Sequence, residues 1–544
     1  MLSLRSEIHD ILFKHFTKTF EIEPIEFTVE IPPQGFGDYS SNVAMVNAKK
    51  LKKAPKFIAQ ELAKSLKEDE WFENVEIAGP GFVNLTLNMG VYVDFLKNVL
   101  NELPYPKIGS EKIQLEYVSA NPTGPLTVGH GRQAIIGDVL SRVYKTVGYD
   151  VTREYYFNDG GRQMKMLGHS LWIRYQQLYG KTIDFSEDDY HGEYLVKVAE
   201  EFKKIHSDAY VDRWDDETQK IFTDFARDRM FAWIKNTLNE IDVHFDVYFR
   251  ESSLYENGTT DQAMKILKDK GYVYDKDGTT WFSVSKIIPS EEDRVIIRKN
   301  GEPTYFFSDI AYMLDKYRRG FKKVYYIWGA DHHGYIPRMK AAAKALGLPD
   351  GFFNVIIHQF VTLKSGDEIV RMSKRQGEFT TLEDLINEVG KDATRYFFAM
   401  LDPNTHLVFD MDLAVSKKMD NPVYYIQYAH ARISSLLKKA NEREIKWQNG
   451  TLENLNNSQE RSLIREMAEF PEIITAVAKE AKPQKLCNYA YSLAEKFHSY
   501  YNANKIVDEK DPKLSSDRIK LCVALEKTLK GVLDLLGVSA PTSM

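Results

Sequence analysis

An apolar run at residues 113–118 that reads as a β-strand is followed by a polar, proline-containing stretch, 119–125, and then by an amphipathic helix beginning near His130. This strand–turn–helix constrains the fold most, because it sets the unpaired N–H groups and the positive dipole end of a helix at one edge of a sheet. Such an edge favours phosphate. Segment 121–132 reads Asn-Pro-Thr-Gly-Pro-Leu-Thr-Val-Gly-His-Gly-Arg, and the absence of a Cβ at Gly129 and Gly131 lets a flat base or a phosphate approach the backbone. Far downstream, Arg371-Met372-Ser373-Lys374-Arg375 gathers cations around a serine between Gly366 and Gly377. A loop of that kind can close over phosphates and bring Lys374 to charge developing during phosphoryl or nucleotidyl transfer. Either segment alone is commonplace, a turn or a solvated basic face. In this order and context the pair reads as a split triphosphate site.

Two other nucleotide motifs fail on inspection. Residues 129–134 fit G-x-G-x-x-A, and Asp150 lies at about the distance expected of a ribose-binding acid. In a dinucleotide fold, however, the strand feeds almost directly into the first glycine, whereas here residues 119–125 intervene. A nicotinamide-dependent dehydrogenase would also leave residues 371–375 without a role. Gly180-Lys181-Thr182 is no P-loop, since Tyr175 stands where the first glycine is needed.

A chain of 544 residues exceeds what one hydrophobic core supports, and three blocks are legible. Residues 1–105 mix helical patterns with short strands, an α+β N-terminal domain closed by Pro104 and Pro106. Over 106–404, strand candidates at 113–118, 151–157, 324–328 and 353–358 alternate with helices, predicting a Rossmann-like parallel-sheet α/β domain. An insertion interrupts it at about 165–300, where the helical stripe Phe222, Phe225, Ala226, Met230, Trp233, Ile234 leads to a strand-rich stretch near 279–285. Residues 405–544 read as an all-α helix bundle. No apolar run approaches a membrane span, and acid stands near the start where a signal peptide needs an apolar block, so a cytoplasmic protein with no membrane partner is expected. The two cysteines, Cys487 and Cys522, read as buried thiols; no structural zinc and no protein-held metal site are expected. A net charge of −6 does not advertise nucleic acid, although a large enzyme can carry a local basic surface.

The two segments resemble the His-x-Gly-His and Lys-Met-Ser-Lys-Ser signatures of class I aminoacyl-tRNA synthetases. Further stretches are similar to arginyl-tRNA synthetases over essentially the whole chain: 116–121 before the first motif, 156–163 after the second strand, 304–312, 328–333, 421–432 and the closing 535–541. The resemblance implies ATP-dependent ligation of L-arginine to arginine tRNA through an arginyl-adenylate. It names His130 and Lys374 as catalytic. ATP contacts would come from Thr127, Gly129, His130, Gly131, Asp331, His332, Arg371, Met372, Ser373 and Lys374, with Mg²⁺ accompanying the nucleotide. Glu116 and Asn121 would hold the α-amino end of arginine, and Tyr305 and Asp309 its guanidinium. Chemistry fits this, since a guanidinium is a permanently charged fork of donors that calls for carboxylates and neutral acceptors. From local sequence Asp309 is equally a helix N-cap before Ile310, Tyr305 ordinary packing, and Asp331 and His332 structural.

For tRNA, the resemblance makes the C-terminal bundle an anticodon-binding domain and the N-terminal block a domain that touches the tRNA elbow through Phe82 and Asn84. The aromatic stretch 497–502 could stack bases or could be core at helical spacing. Lys49, Lys50, Lys52, Lys53 and Lys56 could follow phosphate or form a solvated helix face. A monomer is expected. Three departures stand out: Thr127 replaces the first motif histidine, Arg371 the first lysine of the second motif, and Arg375 its final serine. The rival readings are a non-catalytic, synthetase-like RNA-binding protein and the dehydrogenase. The first would normally have lost His130, Lys374, Asn121 and Asp309.

Overall fold

The computed structural model of the chain describes residues 3–33, 35–366, 368–370 and 381–544. They divide into two compact units, one of Ile108–Ser416 with Ala481–Gln484, the other of Met1–Lys107, Lys417–Glu480 and Lys485–Met544.

In the first unit, strands β1 (Lys112–Glu116), β2 (Asp150–Phe157), β3 (Val247–Arg250), β4 (Lys323–Gly329) and β5 (Phe353–His358) form a sheet in the order β5-β4-β1-β2-β3. Every pairing is parallel. Ile113 and Leu115 point to one face of β1, Gln114 and Glu116 to the other, and all four are buried. A strand buried on both faces belongs in the middle of a sheet covered on both sides. Helix α1 (Val128–Thr146) covers one face and is itself buried almost all round. Two of its glycines permit this. A Cβ on Gly137 would meet the Tyr117 ring at 2.3 Å, and one on Gly131 would meet Leu382 at 2.4 Å and Phe398 at 2.9 Å, both on helix α3 (Leu382–Ala399).

The expected interruption of the sheet is two interruptions. Helices Gly161–Gln177, Tyr194–His206 and Asp216–Glu240 fill the first, packed on a core of Leu167, Leu171, Phe202, Phe222, Ala226 and Met230 that takes in the predicted stripe except Ile234. The sheet then resumes at β3, within the span read as one insertion. β3 is a short edge strand whose residues alternate between half-buried and exposed, so its sequence lacks the apolar run that marks a central strand. The second interruption is a small antiparallel sheet, Val273–Lys276, Thr279–Phe282 and Arg294–Ile297. Its Phe282 and Ile296 share a core with Phe306 and Ile310 of helix α2 (Tyr305–Arg318). Strand Leu407–Asp410 pairs in parallel with Val361–Ser365, so this unit runs past residue 404.

The second unit joins both ends of the chain. An antiparallel sheet of Val29–Glu30, Tyr39–Ser41, Phe82–Leu87 and Phe72–Ala78 packs with N-terminal helices, and Pro422–Glu442 through Pro512–Leu536 are helical. The two parts are built together. Lys527 donates to the carbonyls of Leu100 and Asn101 at 3.1 and 2.7 Å, closing the end of helix Met89–Asn101. Leu103 packs where Gly531 has no side chain, and Arg461 pairs with Glu73 at 2.7 Å. Cys487 and Cys522 are buried, and burial pushes both thiols up. Among the described residues no helix is long and apolar enough to cross a membrane.

Candidate active site

The carboxyl edge of the parallel sheet opens into a pocket of about 1220 Å³. Its walls come from the ends of β1, β2, β4 and β5, the first turn of α1, and one face of α2. That is where open α/β sheets bind ligands, and the volume exceeds the ~300–1,000 Å³ typical of one drug-sized molecule.

The loop leaving β1 is strained. Val118 and Ser119 have φ of 68° and 42°, and a β-branched residue at positive φ is a genuine outlier. Neighbours over-determine it: the Ser119 hydroxyl accepts from the Tyr156 N–H at 3.0 Å and donates to Glu116 at 3.2 Å, while the Tyr155 hydroxyl donates to the Ala120 carbonyl at 2.7 Å. Strain held in this way clusters at functional sites. Farther along the loop, Tyr194 from the helical interruption donates to the Thr123 carbonyl, and Asn121 donates to Gln163 at 2.6 Å.

Thr127 is the N-cap of α1 and His130 lies in its first turn, slightly inside the predicted start. The Thr127 N–H donates to His130 Nδ1 at 3.1 Å, which leaves the proton of a neutral imidazole on Nε2. Burial lowers the His130 pKa to about 4 against the opposing pull of Asp331, so the ring is neutral at pH 7. Gly129 lines the pocket, and a Cβ there would come to 3.7 Å from the Thr127 hydroxyl, an ordinary contact. Gly131 does not line it. Leu382 and Phe398 occupy the place of its side chain, so the missing Cβ serves helix packing. Arg132 is likewise structural, fully buried and donating to the carbonyls of Gln359, Asp402 and Thr405 at 2.9, 3.0 and 2.8 Å.

Arg371, Met372, Ser373, Lys374 and Arg375 lie outside the described residues. Their downstream flank, however, reaches the first motif: Thr381 bridges to Thr127, and the Leu382 N–H donates to the Leu126 carbonyl at 2.8 Å.

Across the pocket, Asp309 lies within α2 and not at its N-terminus, which rules out the N-cap reading. Its carboxylate accepts from the Tyr335 hydroxyl at 2.5 Å. Burial chiefly pushes its pKa up to about 7; the Tyr335 bond and Lys316 oppose this, while Glu116 and Glu251 add to it. Glu251 follows β3 and is also raised by burial, against hydrogen bonds from Ser308 and Tyr156. Tyr305, at the start of α2, lines the pocket and is exposed. Glu116, at the end of β1, is buried and paired with the fully buried Lys316. Asp331 and His332 stand on the turn after β4, exposed and 3.1 Å apart. A Cβ on Gly329 would meet Asp331 Oδ1 at 2.6 Å, so that glycine makes room for the carboxylate. Asp150 is the first residue of β2, at the opposite edge of the sheet, where no ribose in this pocket could reach it.

Sequence reasoning missed Glu251 and His358. His358 ends a predicted strand at the ligand edge, a position that could have marked it. It lines the pocket with its pKa lowered to about 4, chiefly by burial, and its Nδ1 lies 3.3 Å from the Gln359 carbonyl. Glu251 had no such signal, because β3 itself was not legible.

The expected tRNA contacts lie in the other unit. Phe82 is exposed, whereas Asn84 is buried with its carbonyl accepting from Ser40 at 2.7 Å. Phe497 and Tyr500 are core residues, which settles the stretch 497–502 against base stacking by those two rings. Lys49, Lys52, Lys53 and Lys56 are not buried, and Lys53 lies over the Phe57 ring at 5.2 Å.

Three family models match the chain: the arginyl tRNA synthetase N-terminal domain over residues 3–87, the class I (R) tRNA synthetase catalytic domain over 98–418, and the DALR anticodon-binding domain over 426–544. A relative from Thermotoga maritima, an arginine–tRNA ligase, is 53% identical over 100% of this chain and 99% of its own. Arginine–tRNA ligase 1 of Halalkalibacterium halodurans is 43% identical over 95% of this chain and 94% of its own. In fold, the chain is similar to the Thermus thermophilus arginyl-tRNA synthetase structure, with a TM-score of 0.76 at 23% identity over 99% and 100% of the two chains.

Proposed function

The chain belongs to the arginyl-tRNA synthetase family, and from that premise we propose how its pocket carries out the reaction. It is an arginine–tRNA ligase. In the first step a carboxylate oxygen of arginine attacks the α-phosphorus of ATP. The bond from that phosphorus to the bridging oxygen breaks, and pyrophosphate leaves with the electron pair. In the second, the 2′-hydroxyl of the terminal adenosine of tRNA attacks the activated carbonyl and AMP leaves.

The observation that carries the assignment of roles is one pocket that holds both a neutral imidazole donor at a helix N-terminus and a pair of half-buried carboxyl groups raised in pKa by burial. Asp309 and Glu251 take the guanidinium, with Tyr305 beside them. Glu116 and Asn121 take the α-amino end. His130 donates from Nε2 to phosphoryl oxygen, assisted by the dipole of α1, and Gly129 leaves room for the nucleotide. The 3₁₀ turn of Asp331 and His332 meets the nucleoside, and His358 offers a further polar contact there. Arg371, Met372, Ser373 and Lys374 complete the phosphate site, supported by the stitch between Thr381 and Thr127. Mg²⁺ enters with the nucleotide as part of the substrate. Little covalent chemistry falls to the protein, so positioning and stabilisation of negative charge carry the rate.

Phe82 and Asn84 contact the tRNA elbow, Asn84 through a side chain already oriented by Ser40. Residues 1–107 act as the elbow-binding block, 108–416 as the catalytic block and the helices from 417 onward as the anticodon-binding block. On this reading the protein works as a cytoplasmic monomer. The test is aminoacylation of total tRNA with each radiolabelled amino acid in turn. Arginine alone should be incorporated, and incorporation of a neutral amino acid with arginine inert would overturn the assignment.

A further inference from the structure

Tyr335 ends the 3₁₀ turn Ala330–Tyr335 that follows β4, and its side chain is fixed at two points on one face of α2. Its hydroxyl donates to Asp309 Oδ2 at 2.5 Å, and its ring packs edge-on against Phe306 with the centroids 5.8 Å apart. Phe306 and Asp309 stand three residues apart on that helix, so they share a face. The Trp328 ring of β4 lies against Tyr335 as well, again at 5.8 Å. Among the described residues no second donor reaches the Asp309 carboxylate, which leaves Oδ1 to a ligand.

The surroundings of Asp309 make that one bond matter. Glu116 from the end of β1 and Glu251 after β3 act on it, as do the phenols of Tyr156, Tyr255 and Tyr326, while Lys316 of its own helix is the cation nearby. Burial most strongly favours the protonated carboxyl; the Tyr335 bond is the next largest influence and opposes it, ahead of Glu116, Glu251 and Lys316. Burial, and then Asp309 itself, hold the Tyr335 pKa well above its ordinary value, so the phenol remains a donor throughout the working pH range. A neutral donor stabilises a carboxylate without cancelling its charge, whereas a lysine or arginine in that place would repel a guanidinium. We propose that Tyr335 is a positioning residue, whose hydroxyl holds the Asp309 carboxylate ionised and in one orientation so that its other oxygen can receive the guanidinium of arginine. It acts through Asp309, and its effect is on capture of arginine, not on the attack that follows.

This inference rests on the arginine reading above, and one assay separates the two. Arginine-dependent ATP–pyrophosphate exchange is measured with arginine tRNA present, and KM and kcat are followed from pH 6 to 9. Absence of arginine-dependent exchange in the wild type would defeat the reading itself. Tyr335→Phe keeps the ring and removes only the hydroxyl. With its donor gone, Asp309 ionises at higher pH, so the acidic limb of the arginine KM should move upward by about one pH unit. The KM should then exceed wild type about tenfold at pH 6 and return close to it at pH 9, with kcat unchanged within about twofold. Loss of packing alone would raise KM by the same factor at every pH. In an Asp309→Asn background there is no carboxyl to ionise, and adding Tyr335→Phe should bring no pH-dependent change, a result read as the interaction in a double-mutant cycle. A ratio of variant to wild-type KM that is constant with pH, or an acidic limb in Asp309→Asn that Tyr335→Phe still displaces, would overturn the proposal and leave Tyr335 as packing.

Discussion

At the scale of single residues, environment sets chemistry. His130 and Asp309 face one pocket with pKa values moved in opposite directions, about 4 and about 7, both chiefly by burial. Burial disfavours whichever form is charged, so it keeps the imidazole neutral and holds a proton on the carboxyl. His130→Ala removes a donor aimed at transition-state charge and should cost about 2.7–4 kcal/mol in kcat, with arginine affinity little changed. Steady-state kinetics at saturating arginine check this, and unchanged turnover in a folded variant counts against the role. For Asp309 the sign follows from linkage. A guanidinium binds the ionised carboxyl, so capture releases a proton below pH 7. The arginine KM should therefore fall as pH rises from 6 and level off above about 7. Asp309→Asn should flatten that limb and raise the KM at least about tenfold at pH 8, where the loss of a charge-assisted bond is fully felt. A KM that keeps the same pH limb in Asp309→Asn would mean another group titrates.

At the scale of elements, the helix that presents His130 is held by residues that resemble a binding motif and do something else. Arg132 ties α1 to the segments around Gln359 and around Asp402 and Thr405 through three carbonyls. Asp138, also fully buried on α1, pairs with the equally buried Arg395 of α3. Replacing Arg132 with Met would strand those carbonyls without a donor, and each buried group left unsatisfied costs about 1–3 kcal/mol. Urea unfolding should show a loss of about 3 kcal/mol or more with an unchanged slope. A near-neutral result would show that water replaces the guanidinium. The packing roles of Gly131 and Arg132 could not be read from sequence, because glycine and arginine next to a histidine look the same whether they face a phosphate or a neighbouring helix.

At the scale of the molecule, the N-terminal sheet and the C-terminal helices share one packed unit, with Leu103 under Gly531, Lys527 closing helix Met89–Asn101, and Arg461 on Glu73. Deleting residues 1–107 should therefore destabilise the C-terminal helices rather than only remove a tRNA contact. Calorimetry of the truncated chain should show their transition lowered or lost, and an unshifted transition would mean the helices fold independently. Because both ends of the chain form this one body, tRNA held by it can supply differential binding energy to a catalytic conformation that is poorly populated without it. Arginine-dependent ATP–pyrophosphate exchange should then be near background without tRNA, appear when arginine tRNA is added, and weaken steeply with salt as counterion release is lost. Robust exchange in nuclease-treated enzyme would refute the coupling.

What the sequence determined by itself was the set of features written in contiguous residues. These are the strands β1, β2, β4 and β5, read from their apolar residues, the turn that starts α1, and the helical stripe from Phe222 to Ile234. The tertiary structure alone decided what depends on residues far apart in the chain. The edge strand β3 becomes a strand only by pairing with β2, and Glu251 enters the pocket only because that pairing ends there. Asp309 becomes a proton-holding carboxyl only beside Tyr335, Glu116 and Glu251. Lys316 becomes a buried cation only because Glu116 comes up from a strand distant in sequence. Periodicity records which face of an element is covered. It does not record which residue covers it, and charge, protonation and fit are properties of that neighbour.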